Sequence, residues 1–507
     1  MTRHEFLKLA SRGTGAAAAW SAVGPFGARA QAAPPPGPAP SPKAPPSGIT
    51  DAVVAFIDGA RFDDMPEAVV IQAKRCLIDG LGVALAGATV RGSAIVRDYV
   101  KTCGGRAEAT VLGPEPLTVT AAQAALANGS SGHAMDYDDT QLPTTPDRVF
   151  GLLTHPTVPV MAASLALAER TGASGRAFLE AFLTGFEVEC KIAEAINPDH
   201  YLRGFHSTGT IGTIGAAASA ANLLHLQRPG IAHALGIAAS MSAGIRVNFG
   251  SMTKPLHAGR AAENGVVAAE LASRGFTAGD VALDGRWGFF EVMGGGADVA
   301  RIVGALGNPY SIVTPGVSVK PYPCGSLGHP TMDAMMKLVT EHDIRPEQVK
   351  HVRVRAGSNI LDPLRYKTAK TELEAKFCLP FMMSAILLRR RAGIREFTDA
   401  FVSSAPVQAI MARVETVFDP AIEARGFDRM RSVVEVELED GRTFTQPSDE
   451  RYRGGPERPF TREELHAKFT DCASLLLPDD RIRRALDLIE SLERVANVRE
   501  LVESLRA

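Results

Sequence analysis

Gly209-Thr210-Ile211-Gly212-Thr213-Ile214-Gly215-Ala216-Ala217-Ala218-Ser219-Ala220-Ala221-Asn222-Leu223-Leu224-His225-Leu226 is the stretch that decides the fold class. It holds no Pro, Asp, Glu, Lys or Arg, and its apolar residues recur at helical spacing. The other positions are mostly Gly, Ala, Ser and Thr, so a neighbouring helix can approach its axis closely. The same texture extends both ways. Pro66 to Ala86, Ala121 to Ala127, Pro156 to Glu169, Arg176 to Ile196, Ile231 to Ser240 and Ala258 to Arg274 all read as helices, with Pro66 suited to a first turn and Gly87 to a stop. From Thr50 to about Gly307 the chain reads as almost entirely helical. No strand, GxGxxG and helix follow one another, which argues against a Rossmann domain and its nicotinamide or flavin cofactor.

Near Pro315 the texture changes. Val349 to Val354 alternates like a strand, and so does Ser432 to Leu438, closed by Asp440-Gly441 as a hairpin turn before Arg442 to Thr445. Helices persist at Pro330 to Glu341 and Phe377 to Leu388. An α+β module therefore follows an all-helical one. From Phe460 the chain returns to helix: Thr461-Arg462-Glu463-Glu464 offers a capping box, and Asp479 to Leu505 is amphipathic and expected to pack back on the helical body.

Composition narrows the function. Of 507 residues, 54 are basic and 56 acidic, so no large field points at nucleic acid or a membrane surface. The six cysteines are scattered without a CxxC, which argues against structural zinc and iron–sulfur clusters. At the N-terminus, Arg3-His4-Glu5-Phe6-Leu7-Lys8 resembles a twin-arginine export signal with His4 in place of the second arginine. Small-x-small cleavage sites follow at Ala28 to Ala32, then a Pro-rich linker. The expected location is periplasmic if that signal works and cytoplasmic otherwise. No later segment reads as membrane-spanning.

Two features carry chemistry. Polar residues stand where small-residue helices begin: Thr154-His155-Pro156, His206-Ser207-Thr208-Gly209, Thr253-Lys254-Pro255-Leu256-His257, and Cys324-Gly325-Ser326 with His329-Pro330. Helix starts hold anions, and several converging starts with added His and Lys would bind a polycarboxylate. The second feature is Asp136-Tyr137-Asp138-Asp139, three carboxylates within four residues that repel unless cations, N–H donors or a metal share them. A Mg²⁺ cage lacks a second aspartate cluster, so no metal is assigned. An aspartate acting as a base or orienting group beside the histidines, or a capped helix end and turn, remain as readings.

Gly132-His133-Ala134-Met135-Asp136-Tyr137-Asp138-Asp139-Thr140 with His155-Pro156 resembles the signature of the MmgE/PrpD family. So do Gly204 to Gly209, Thr253 to Gly259, Lys320-Pro321-Tyr322-Pro323-Cys324 and Ala375 to Phe381, in the family's order. The resemblance implies a mainly α fold, a large all-helical domain with a smaller α+β lid, usually dimeric and without cofactor or metal, with the site between the two. The corresponding division is an export signal at 1–32, a linker at 33–48, the helical domain at 49–310, the lid at 311–455 and C-terminal helices at 456–507. Carried over by position, the site falls on Asp136, Thr140, His155, His206 and Lys254, with Cys324 and Phe381 on the lid. Thr140, His257, Lys320 and Cys324 are the expected substrate-binding residues. Lys254 would hold carboxylates and stabilise developing charge, His206 would move the proton, His155 would assist the departing group, and Asp136 would set a histidine's orientation. Cys324 reads equally as a thiolate base and as a small structural cysteine.

In the family's cis-aconitate decarboxylases a histidine stands at the position of Cys324 and a tyrosine aligns with Phe381, so both departures argue against decarboxylation. The stretch Gln141 to Thr154 is longer than the usual link, which would reshape the pocket mouth. The leading expectation is a cofactor-independent lyase dehydrating a 2-methylcitrate-like hydroxy-polycarboxylate. An epimerase of an iminodisuccinate-like dicarboxylate and a non-catalytic carboxylate-binding protein are the alternatives.

Overall fold

Close approach of small-residue helices organises the largest of the three hydrophobic clusters among the described residues. The computed structural model describes residues 47–143 and 153–507. The expected export signal, nearly all of the linker and most of the 141–154 stretch lie outside them. With the helices of eleven residues or more numbered in order, the first part contains α1 (Ile49–Gly59), α2 (Glu67–Gly87), α3 (Arg91–Cys103), α4 (Ala121–Ala134), α5 (Thr157–Thr171), α6 (Gly175–Ile196), α7 (Ser207–Leu223), α8 (Arg228–Met241) and α9 (Thr253–Ser273). Every residue of α7 is buried, so the stretch quoted first is a central helix, surrounded by α5, α6, α8 and α9. Gly129 of α4 lies against Gly259 of α9: a Cβ on Gly259 would meet Ser130 Oγ at 2.1 Å and Leu126 O at 2.3 Å. Contact this close, with backbone as the obstacle, makes the glycine obligatory.

The fold is mainly α, with short sheets. Two short strands, β1 (Ala109–Val111) and β2 (Leu117–Val119), form a hairpin that the sequence reading did not assign, within a stretch read as almost entirely helical. β3 (Thr140–Gln141) pairs antiparallel with β4 (Val317–Ser318), tying the aspartate motif to the segment that carries Lys320. The second core gathers α10 (His329–Glu341) and α11 (Leu379–Arg389) on one sheet. That sheet has the order β6-β5-β7-β8, made of β5 (Val349–Ala356), β6 (Val414–Phe418), β7 (Ser432–Leu438) and β8 (Thr443–Pro447). β5 and β6 run parallel, and the other neighbours are antiparallel. Along β7 burial alternates, as its Val/Glu alternation requires. β6 was not read from sequence, because Val414-Glu415-Thr416-Val417-Phe418 is an edge strand without a fully buried side chain.

α12 (Arg462–Ala473) and α13 (Asp479–Glu490) return to the first core through Leu465, Phe469, Ile482 and Ile489. The capping box at Thr461 and Glu464 is formed. Asp479 to Leu505 is not one helix, since it breaks after Glu490 and resumes at Arg499–Ser504. Two other boundaries differ in ways that matter for the site. α4 runs on through Asn128-Gly129-Ser130-Ser131-Gly132 to Ala134, because these small residues are what let it lie against α9. α9 starts at Thr253 instead of Ala258, which puts Lys254 and His257 in its first turns. Among the described residues no helix is long and apolar enough to cross a membrane.

Replacing Gly259 by Ala should lower unfolding stability by about 1–3 kcal/mol through overpacking. Gly230→Ala in α8, where a Cβ meets only Leu226 at ordinary contact distance, should not. Denaturant unfolding of the two variants side by side checks the contrast, and equal stability would contradict the close-packing account.

Candidate active site

The end of α4 sets the position of every later group. After Ala134 the chain turns, and Asp136 takes a left-handed conformation at φ 50°, one that Asp tolerates better than most side chains. Buried lysines from distant segments hold the turn. Lys376 donates to Ala134 O at 2.9 Å, Lys320 to Asp136 O at 3.0 Å, and Lys468 of α12 to Tyr137 O at 2.8 Å and Lys320 O at 2.9 Å. Lys468 is balanced by Asp79 of α2 at 2.6 Å.

Held this way, the Asp136 carboxylate sits between two cations. Lys254 Nζ and Lys320 Nζ lie 2.6 and 3.0 Å from the same oxygen, Oδ1. Oδ2 is buried without a hydrogen-bond partner among the described residues. Burial opposes the Asp136 charge, yet the two lysines hold its pKa well below the ordinary carboxylate range. Burial, with repulsion from Lys320, lowers the Lys254 pKa against the opposing pull of Asp136. Phe249 and Phe377, stacked on each other, lie 5.3 and 5.4 Å from Lys254 Nζ and give its charge two aromatic faces.

Histidines line the other side. His155 Nδ1 lies 2.8 Å from Asp139 O. A carbonyl only accepts, so Nδ1 carries the proton and the neutral ring keeps its lone pair on Nε2. Burial pushes the His155 pKa well below the usual histidine value, favouring that neutral form. His206, the N-cap of α7, has Nδ1 3.0 Å from His257 Nδ1, and its buried Nε2 has no partner among the described residues. Burial lowers the pKa of His206 strongly and that of His257 to about 4, so both rings are neutral and one Nδ1 donates to the other. His133 stands between His155 and His206, with ring centroids at 4.7 and 5.6 Å, and its Nδ1 binds Asp138 at 2.8 Å.

A cavity of about 50 Å³ joins these groups, lined by Asp136, His155, His206, Lys254, Lys320 and Phe377 among others. Three of the four helix starts converge on it, those of α5, α7 and α9. The fourth supplies Gly325, Ser326 and Leu327 but not its histidine, because His329 turns away to Tyr452 OH and Cys324 O.

Several expected residues stand elsewhere. Cys324 is fully buried against Met332, with its thiol pKa raised well above normal by burial, so it is no thiolate base and does not line the cavity. Phe381 packs in the second core against Phe397. Thr140 pairs through its backbone with Ser318 and does not line the cavity, its buried hydroxyl having no partner among the described residues, and His257 supports His206 from behind. Asp136 orients no histidine, since its hydrogen bonds go to lysines, and the carbonyl of Asp139 orients His155 instead. The sequence reading missed Phe249, Tyr201 and the lysine braces Lys376 and Lys468. His133 and Asp138, five residues apart across a helix end, were the available signal for their pairing.

The MmgE/PrpD N-terminal domain matches residues 51–302, and the MmgE/PrpD C-terminal domain matches residues 322–494. The chain belongs to the MmgE/PrpD family. Within it, the chain is similar to cis-aconitate decarboxylase of Homo sapiens, 28% identical over 90% of this chain and 94% of that one. It is likewise similar to the cis-aconitate decarboxylases of Mus musculus (27% identical, 90% and 93% covered) and Aspergillus terreus (24% identical, 90% and 96% covered). These relatives support a lyase of the MmgE/PrpD type.

Asp139 offers a pH test of this buried cluster. Burial, with repulsion from Asp79 and Asp138, pushes its carboxyl up to about 7 against the stabilising bond from Thr157. A raised folded-state pKa gives stability that is complete below the unfolded value near 4 and is lost as pH rises through about 7. The stability advantage of Asp139→Asn over the parent should therefore grow from pH 4 to 7 and level off above. A pH-independent difference in urea unfolding would contradict the assignment.

Proposed function

We propose that the protein is a cofactor-independent lyase that dehydrates a hydroxy-polycarboxylate of the 2-methylcitrate type. The observation that carries this reading is His155, locked by the Asp139 carbonyl with its basic Nε2 on the cavity that also holds Lys254 and Lys320. A substrate carboxylate bound by the two lysines places its α-proton within the reach of His155, which removes it. The lysines stabilise the enediolate-like charge that develops. The imidazolium formed on His155 then passes that proton to the departing hydroxyl, which leaves as water. His206, with His257 donating from Nδ1, keeps its proton on Nε2 and hydrogen-bonds the departing oxygen. This exchanges the roles that sequence suggested for the two histidines, because a histidine whose Nδ1–H is committed to a carbonyl is the base.

Decarboxylation is the second reading, favoured by the names of the similar relatives. It draws on the same carboxylate-binding lysines but needs a proton donor for the resulting carbanion; Cys324 does not line the cavity and Phe381 has no acidic proton, so a cavity group such as the Lys254 ammonium would have to serve. Epimerisation would use the proton abstraction alone.

Proton NMR in D₂O of the full chain with 2-methylcitrate, citrate, cis-aconitate and imino dicarboxylates separates the readings. Dehydration predicts water loss from a hydroxy acid to an olefinic acid. Carbon dioxide release from cis-aconitate would replace it with decarboxylation, deuterium entry without an alkene would mean epimerisation, and binding without turnover would leave a carboxylate-binding protein. On the substrate so found, His155→Ala and Lys254→Met should each lower kcat by about 10²–10⁴-fold with folding intact. Because burial lowers the His155 pKa, the acid limb of the kcat/KM profile should lie below the ordinary histidine range, and a limb near pH 6.5 would count against His155 as the base.

A further inference from the structure

A second cavity, of about 220 Å³, adjoins the first, and Leu153, Tyr201 and Pro363 line both. The two differ in chemistry. Lys254 and Lys320 stand in the first, while the second, though Asn197, Ser358 and Asn359 also line it, has a mostly apolar surface to which Pro198, Leu202 and Phe427 contribute. Arg246 and Asp362 add one charge of each sign to the second, where the first has two lysines against one aspartate. Leu202 is 73% exposed, an apolar side chain left at the rim where a ligand would cover it. Tyr201, between the two spaces, is held in place by Arg246, which stacks on its ring at 3.5 Å and donates to its carbonyl at 2.9 Å. The first cavity alone has room for a reacting carboxylate and its immediate neighbours, and the adjoining space is more than four times larger.

We propose that this second cavity is a substrate subsite for an uncharged, apolar extension, so that the preferred substrate is a polycarboxylic acid bearing an alkyl or aryl chain. The inference rests on the carboxylate-lyase reading for the head of the molecule, but binding tests it separately from turnover. The probes are saturated, unreactive tricarboxylic acids carrying hydrogen, methyl, propyl or hexyl at one carbon, titrated calorimetrically into the full chain. Burial of each methylene should tighten binding about fourfold until the cavity is filled. Phe427→Asp, and separately Leu202→Asp, should flatten that series, and two sites guard against one variant failing to fold. Equal affinity across the series, or a decline with chain length, would overturn the subsite even if the unsubstituted hydroxy acid is turned over. A rising series without turnover of any hydroxy acid would support the subsite and overturn the lyase reading.

Discussion

One carboxylate shared by two buried lysines is the constraint on which the remainder of the site depends. Asp136 costs free energy to bury, and Lys254 and Lys320 offset that cost only because each reaches the same oxygen. Two lysines against one aspartate leave these three side chains with one net positive charge, which the nearby Asp138 carboxylate, paired with His133, offsets in part. An anionic substrate is the natural complement to that excess. The arrangement also explains why three remote segments meet here: the α4 turn brings the aspartate, the start of α9 brings Lys254, and the β3–β4 pairing delivers Lys320.

Rigidity of the turn comes from backbone carbonyls. In an α4 exit with a left-handed Asp136, Ala134, Asp136 and Tyr137 would each leave a buried acceptor unsatisfied. Lys376, Lys320 and Lys468 supply the donors, one apiece, from the second core, its connecting segment and the C-terminal helix. The C-terminal return of the chain therefore has a chemical role: α12 carries the lysine that braces both Tyr137 and Lys320. Packing and catalysis are joined at that residue.

Much of this was legible in the chain. The Gly/Ala-rich helices, the alternation of β5 and β7, and the clustering of His and Lys at helix starts are local patterns, and local patterns fix local structure. What escaped was long-range. Nothing near Lys468 or Lys376 in sequence shows that each ends on a carbonyl more than two hundred residues away. The role of Asp136 was misjudged for the same reason, since its neighbours in sequence are histidines and aspartates while its neighbours in space are lysines. Cys324 was undecidable from spacing. Only its burial against Met332 removes it from the chemistry.

Charge is the most direct handle on the central claim. Tricarballylate, a saturated tricarboxylate that cannot react, should be titrated into the full chain and into the Lys254→Met and Asp136→Asn variants. The charge account predicts opposite shifts: removing the lysine weakens binding by at least about tenfold, while neutralising the aspartate frees both cations and leaves binding as tight or tighter. Asn also accepts the left-handed backbone at this position, so the turn is preserved. Unchanged affinity in Lys254→Met, or loss of binding in both folded variants alike, would contradict it.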